Sequence, residues 1–255
     1  MKINALILVI AICYSINSYS QDRPAFRKGY LRVGINKLGD DLDNSLSPKE
    51  NIFESKYGAS TGYVFEFGKI YYFKSRENKG LINYGLDWTI LSLNYNKMDK
   101  WEEYGLASEV GTSEADGSLI AAAISSKLGP TISFNPLEKL VIDVRFQIAP
   151  TLRFFDFEYY EDNENSAGRY FYFENSAQSE FDEDFDSEAI KNRLAFGVAT
   201  GFGITVRRKA IGLALDYTVG KVNSNYEAFD PRSGMTYGKE RIKANTMQFK
   251  LSFTL

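Results

Sequence analysis

Hydrophobic and polar positions alternate with a period of two between residues 127 and 155, KLGPTISFNPLEKLVIDVRFQIAPTLRFF. This pattern predicts two long β-strands joined by a tight turn at residues 135–138. In the second strand, one face is apolar: Leu140, Ile142, Val144, Phe146, Ile148, Pro150, Leu152 and Phe154. A soluble antiparallel sheet can alternate in the same way, but about eight consecutive apolar positions span roughly 25 Å, close to the hydrocarbon thickness of a bilayer. We therefore expect a membrane-spanning hairpin.

The same alternation recurs along the chain and predicts eight strands in all. They cover residues 30–37, 57–73, 81–95, 118–134, 140–155, 193–207, 211–220 and 242–255, with a bulge near Leu91 that shifts the phase of the third strand. Long connections follow strands one, three, five and seven, at residues 38–56, 96–117, 156–189 and 221–241, and short ones follow strands two, four and six. This order predicts an all-β protein: an eight-stranded antiparallel up-and-down transmembrane β-barrel with long outer loops, short periplasmic turns and both termini in the periplasm.

The amino terminus has the features of a secretory signal peptide. Lys2 precedes an apolar run at residues 5–12, and small residues at Ser18 and Ser20 precede Gln21. A transmembrane anchor is the alternative, but the run is too short for one. Cys13 follows Ile12 rather than a small residue, which argues against a lipoprotein signal. We expect cleavage after Ser20, a barrel domain at residues 21–255, and location in the cell outer membrane.

The signal, the KLGPTISFNP-turn-LVIDVRFQIAP hairpin and the carboxy-terminal MQFKLSFTL together resemble the small outer-membrane β-barrel proteins of Bacteroidota, the PorT-like group. Members of that family are typically uncharacterised barrels, and PorT itself is associated with protein secretion. The closing strand resembles the signal that the barrel assembly machinery recognises, which the resemblance places at Phe249, Leu251, Phe253 and Leu255. The terminal Leu255 departs from the commoner phenylalanine.

Charge and composition exclude several kinds of function. The chain has no histidine, and its one cysteine lies in the predicted signal. Lipid-modifying barrel enzymes generally use a histidine base, so an enzyme is disfavoured, although a buried Glu or Lys base remains chemically possible. The net charge of −3 provides no basic footprint for nucleic acid. We expect no catalytic, cofactor-binding or metal-binding residues. The acidic stretch Asp182-Glu183-Asp184 with Asp186 could bind calcium, but it lacks the spacing of an EF-hand loop, so we favour a solvated acidic loop over a calcium site.

Charged residues on the inward faces of the strands are the main candidates for a site. They are Arg32, Glu66, Asp87, Asp143, Arg145, Arg153, Arg193, Arg207, Asp216 and Lys250. We predict a lumen charge network of Asp143, Arg145, Arg153, Arg193, Asp216 and Lys250. These side chains could line a pore or bind a solute. We favour ion pairs that fill the interior, because eight strands enclose only enough space for side chains.

The predicted loop at residues 156–189 is rich in aromatic residues: Tyr159, Tyr160, Tyr170, Phe171, Tyr172, Phe173, Phe181 and Phe185. They predict either a packed lid over the barrel mouth or a protein-contact surface. The leading functional hypothesis is a non-enzymatic barrel in contact with outer-membrane lipid, with a structural or protein-interaction role at the cell envelope. Its outer loops, or its periplasmic ends, contact another protein or another component of the envelope. A narrow transporter for a small or apolar solute is the second hypothesis, and an enzyme the third.

Overall fold

The computed structural model describes residues 26–73, 81–101, 103–104, 112–137, 139–163, 166–175 and 186–255. These residues form one short helix and eleven strands. In chain order they are β1 (Gly29–Leu38), α1 (Pro48–Phe53), β2 (Gly62–Tyr72), β3 (Ile82–Lys97), β4 (Thr112–Leu137), β5 (Leu140–Asn163), β6 (Ser166–Glu174), β7 (Asp186–Lys191), β8 (Leu194–Arg208), β9 (Ile211–Asp230), β10 (Gly234–Lys243) and β11 (Thr246–Thr254). The all-β class is confirmed, but the described chain has eleven strands rather than the eight expected.

Eight of the strands pair in a closed ring. Each is antiparallel to the next in the order β1, β2, β3, β4, β5, β8, β9 and β11, and β11 returns to β1 through nine residue pairs from Tyr30↔Thr254 to Leu38↔Thr246. Both Gly29 and Leu255 lie at one end of this ring, here called the near end. The opposite end, called the distal end, carries α1, β6, β7 and β10.

Burial alternates along the ring strands as the sequence pattern predicts. In β5 the odd-numbered residues from Val141 to Arg153 are buried, whereas Phe146 and Ile148 on the other face are about half exposed, at 51% and 52%. The predicted bulge near Leu91 is confirmed, because the pairing of β3 with β4 shifts between Thr89 and Ser92.

Several predicted loops are wrong at the distal end. Residues predicted as connections instead extend β4 back to Thr112, extend β5 to Asn163 and β9 to Asp230, and form β6, β7 and β10. The physical reason is an inversion of polarity within continuous strands. Up to Phe154 the exposed face of β5 is the apolar one, but beyond it the buried face becomes aromatic, with Phe155, Phe157 and Tyr159 each at most 1% exposed.

These inverted segments enclose an aromatic core at the distal end. Trp101, Phe157, Phe171 and Phe173 are fully buried there, and α1 adds Ile52. The helix begins with a capping box, in which the Ser47 side chain accepts a hydrogen bond from the backbone of Glu50 and the Glu50 carboxylate accepts one from the backbone of Ser47. Tyr57 and Ala59 pack in this core as part of the loop that precedes β2. The second strand therefore begins at Gly62 and not at the predicted residue 57.

The predicted signal at residues 1–20 lies outside the described residues, as do Phe181, Asp182, Glu183, Asp184 and Phe185. Within the described part of the chain, no helix is both long and apolar enough to cross a membrane.

Candidate functional site: the interior charge network

The interior of the ring is lined by charged side chains from all eight strands. Among the described residues the paired parts of the ring strands bury six cations and four carboxylates, each at most 5% exposed. The cations are Arg32, Lys127, Arg145, Arg153, Arg207 and Lys250, and the carboxylates are Glu66, Asp87, Asp143 and Asp216. Alternation alone places them there, because every second residue of a ring strand faces inward.

Glu66 of β2 is the centre of the network. Its Oε1 accepts a hydrogen bond from Lys127 Nζ at 2.6 Å, and its Oε2 accepts one from Lys250 Nζ at 2.6 Å. Ser92 Oγ donates to Oε1 at 3.0 Å. A carboxylate buried with this many donors keeps its charge, because each donor replaces water that burial removes.

Asp216 of β9 continues the network across the ring. Its two carboxylate oxygens are hydrogen-bonded by Lys250 and by Arg145, and Arg145 Nη1 donates to Thr205 Oγ1 at 2.6 Å. The absence of a side chain at Gly203 makes the pair of Arg145 and Asp216 possible. A Cβ at position 203 would lie 1.9 Å from Asp216 Oδ1 and 2.7 Å from Arg145 Nε, so no other residue fits without displacing both side chains.

A third group lies beside Glu66. Arg32 Nη1 is 3.7 Å from Glu66 Oε2, and Arg32 Nη2 is 3.6 Å from Asp87 Oδ2. The guanidinium carbon lies 3.7 Å from the centre of the Tyr30 ring. Tyr30 donates its hydroxyl to Asp87 Oδ1 at 2.5 Å. Gln147 also reaches Asp87, at 3.3 Å. The Arg32 contacts are longer than hydrogen bonds, so Arg32 is held by charge and by the aromatic face.

A separate ion pair lies toward the near end. Arg207 Nε donates to Asp143 Oδ2 at 2.9 Å, and both side chains are 1% exposed. Ser133 Oγ donates to the other carboxylate oxygen of Asp143, and Arg207 Nη2 reaches the Tyr72 hydroxyl at 3.2 Å. This pair involves neither Glu66 nor Asp216, so it can be perturbed on its own.

The structure brings together only part of the predicted network. Arg145, Asp216 and Lys250 meet directly, while Asp143 belongs to the near-end pair. The placement of Arg193 in the lumen was wrong. It lies between β7 and β8 at the distal end, where it pairs with Asp156 at 2.9 Å and with Glu158 at 3.3 Å, because the chain has left the ring before β8 begins.

Arg153 differs from the other interior cations. It is 5% exposed, and among the described residues it makes no ion pair or hydrogen bond. Its guanidinium lies 6.0 Å from the centre of the Phe155 ring.

The sequence-based network missed Glu66, Lys127, Asp87, Arg32 and Arg207. Four of them were recognised as inward-facing charges, but alternation gives no partner across the ring. Lys127 was missed entirely, although it stands in phase with the buried Ser125 and Thr131 of β4. Its alternate spacing with these inward-facing residues is the signal that could have identified Lys127 as an interior charge.

The distal aromatic core closes the ring above the charges. Phe155 stacks on Tyr57 with ring centroids 5.4 Å apart and on Phe173 at 5.0 Å. Trp101 packs against Phe157 at 4.6 Å and donates its indole N–H to the Tyr57 carbonyl at 2.9 Å. The predicted packed lid is confirmed for Tyr159, Phe171 and Phe173, which are buried in this core. Burial, reinforced by the nearby Glu161 carboxylate, raises the pKa of the Tyr104 hydroxyl to about 12.

The outer surface of the ring is a band of exposed apolar side chains. Every ring strand contributes to it, including Ile35, Phe65, Trp88, Ile124, Phe146, Phe202, Leu213 and Phe249, each between 37% and 55% exposed. Of the residues expected in the assembly signal, Phe249 and Leu255 are exposed, Leu251 is half-buried and Phe253 is 8% exposed. No group of potential metal ligands occurs among the described residues.

Comparison with known proteins gives distant structural similarities. The chain is similar to a major outer membrane protein from Thermus thermophilus, with a TM-score of 0.42 and 8% identity over 90% of this chain and 100% of that one. It is also similar to the outer membrane protein AlkL, whose structure was determined in DMPC bilayers, with a TM-score of 0.33 and 11% identity over 93% of this chain and 95% of that one. No family model matches the chain, and no curated protein matches it.

Proposed function

We propose that the chain is an outer-membrane protein whose ring of eight strands is a transmembrane β-barrel with a closed lumen. Its proposed role is non-enzymatic: the distal extension contacts another protein of the envelope or of the cell exterior. The observation that carries this proposal is the combination of an apolar outside and a charged inside on the same eight strands.

The outer band supports insertion into lipid. Monomeric soluble proteins rarely expose apolar patches larger than a few hundred Å². Here, exposed large apolar side chains continue around all eight strands of the ring, from Val33 on β1 to Met247 on β11. A closed ring also leaves no unpaired strand edge in the hydrocarbon, which is the condition that a membrane imposes on strands.

The interior supports a closed lumen. Glu66, Asp216 and Lys250 are joined in one set of ion pairs across the ring, and none of them is more than 5% exposed. Above them the stacked rings of Tyr57, Phe155 and Phe173 cover the distal end. Side chains that fill the space in this way leave no continuous path for a solute.

The distal extension supports a role in protein contact. Among the described residues β10 pairs only with β9, so its other edge offers backbone groups to a further strand. Tyr237 and Met235 on β10 are 70% and 41% exposed, which provides apolar side chains for a partner. The resemblance to the PorT-like group, the signal peptide cleaved after Ser20 and recognition by the barrel assembly machinery belong to this proposal.

Two measurements test the proposal together. Purified protein refolded into a planar bilayer should give no stepwise conductance, and expressed protein should fractionate with the outer membrane and migrate differently on gels before and after boiling. Conductance like that of a porin would favour the narrow transporter instead. Recovery from the soluble fraction, with no change of mobility on boiling, would refute the barrel.

A further inference from the structure

The interior of the ring carries an excess of positive charge. Its six cations face four carboxylates in the described residues, which leaves two positive charges without a counterpart. Glu66 and Asp216 already share Lys127, Lys250, Arg145 and Arg32. No described carboxylate in the interior remains to neutralise the excess.

Arg153 bears one of the unmatched charges. An arginine stays protonated in a protein, so burial cannot remove its charge as it can for lysine. Its guanidinium lies 6.0 Å from the centre of the Phe155 ring, and its Nε has no hydrogen-bond partner among the described residues. The carboxylates that follow Phe155 in the chain, Asp156 and Glu158, both pair with Arg193 instead. Buried charges in proteins are generally paired with an opposite charge, so this setting favours an anion as the partner of the guanidinium.

A small cavity lies beside Arg153. It has a volume of about 20 Å³, and its lining includes Lys127, Arg153, Ser125, Thr151, Thr218 and Gln248. A cavity needs roughly 10–15 Å³ on this measure to hold one water-sized particle, so the space fits a single small ion rather than an organic solute. Among the lining residues, Lys127, Arg153 and the hydroxyl groups of Ser125 and Thr218 offer donors to an anion.

We propose that this cavity binds one small monovalent inorganic anion, a halide in size, between Arg153 and Lys127. The inference rests on the proposed closed barrel, because only an enclosed lumen keeps water from screening Arg153. The anion balances charge that the protein leaves unmatched on the neighbouring strands β4 and β5. Its role is structural: it exchanges with the same anion in solution but is not transported across the barrel.

The test uses ³⁵Cl nuclear magnetic resonance on the full chain refolded in a non-ionic detergent. Chloride that exchanges with a protein site gives a broader line than free chloride. Wild-type protein should broaden the line, and bromide should reverse the broadening by competition. Arg153→Gln should abolish the broadening, whereas Arg208→Gln, the same substitution at an exposed arginine on β8, should retain it. Equal broadening by wild type and Arg153→Gln, or no excess broadening by wild type, would overturn the proposal.

A second measurement needs no variant, so it decides the matter if Arg153→Gln does not fold. The temperature at which wild-type protein loses its folded gel mobility is compared in sodium chloride and in sodium gluconate at equal ionic strength, after exhaustive dialysis. The site predicts a temperature several degrees lower in gluconate, because that anion is too large for the cavity. Equal temperatures would refute the site and would leave the closed barrel standing, since the bilayer measurement tests that independently.

Discussion

The ion pair between Asp143 and Arg207 offers a sharp test of whether the interior is dry. Arg207→Met leaves Asp143 with the Ser133 hydroxyl as a hydrogen-bond donor, and Asp143→Asn leaves the guanidinium beside the Tyr72 hydroxyl without its carboxylate. Each single variant therefore strands one charge at a position that is 1% exposed. The double variant strands none.

The structure sets the size of the expected effect. With Arg207 Nε 2.9 Å from Asp143 Oδ2, the centres of charge are about 4 Å apart, and their attraction is about 4 kcal/mol at an effective dielectric constant near 20. Loss of one partner from a buried pair typically costs about 3–5 kcal/mol, whereas replacement of both by uncharged residues is often close to neutral. We expect each single variant to lose about 3–5 kcal/mol, and the double variant to stay within about 1 kcal/mol of the wild type.

The free energy of unfolding would be measured by urea titration in lipid vesicles. Trp88 faces outward from the ring and Trp101 lies in the distal core, so their fluorescence reports both parts. A hydrated lumen gives a different result: both single variants would then cost less than about 1 kcal/mol, as exposed pairs do, and their effects would add. That outcome would refute the closed interior.

Three further predictions address the other parts of the molecule. Phe146→Arg in the outer band should cost about 2–4 kcal/mol near the bilayer midplane, while Tyr237→Arg on β10 should be nearly neutral; equal costs in vesicle refolding would refute the band. Deletion of residues 252–255 removes pairs with both β1 and β9, so it should abolish heat-modifiable mobility in the outer-membrane fraction, and normal insertion would contradict the ring closure. The raised pKa of Tyr104 means that the unfolded chain releases its proton near pH 10 and the folded chain only near pH 12. The stability of the distal core should therefore fall between these pH values, less so in Tyr104→Phe, as followed by Trp101 fluorescence; an unchanged dependence in the variant would exclude this tyrosine as the cause.

Much of the ring could be predicted from the sequence because a period of two determines which face each residue occupies. The odd row of β5 and the bulge near Leu91 follow directly from local pattern. Partners across the ring do not, since Glu66 meets Lys250 only after β11 has closed on β1. This is why inward charges were recognised individually while their pairing was not.

The distal strands were missed for a different reason. Acidic and aromatic residues such as those at 156–163 have the composition of a long outer loop, and that composition concealed the continuing alternation of Phe155, Phe157 and Tyr159. The apolar residues had changed face, not disappeared. Arg193 was misplaced for another reason: β8 begins one residue later than predicted, which leaves Arg193 in the connection.

The position of β6 and β7 has a consequence for the order of assembly. At the distal end, β6 pairs with β5, β7 pairs with β9, and β6 and β7 pair with each other in parallel. In the rest of the ring, β8 lies between β5 and β9. A parallel pair cannot fold as a local hairpin, and β9, the antiparallel partner of β7, follows β8 in the chain. The pairing of β7 therefore cannot form before β8 and β9 have folded, whereas β5 and β6 can pair earlier as consecutive strands. We expect the pairing of β7 to appear in refolding kinetics as a late phase, governed by sequence-distant contacts.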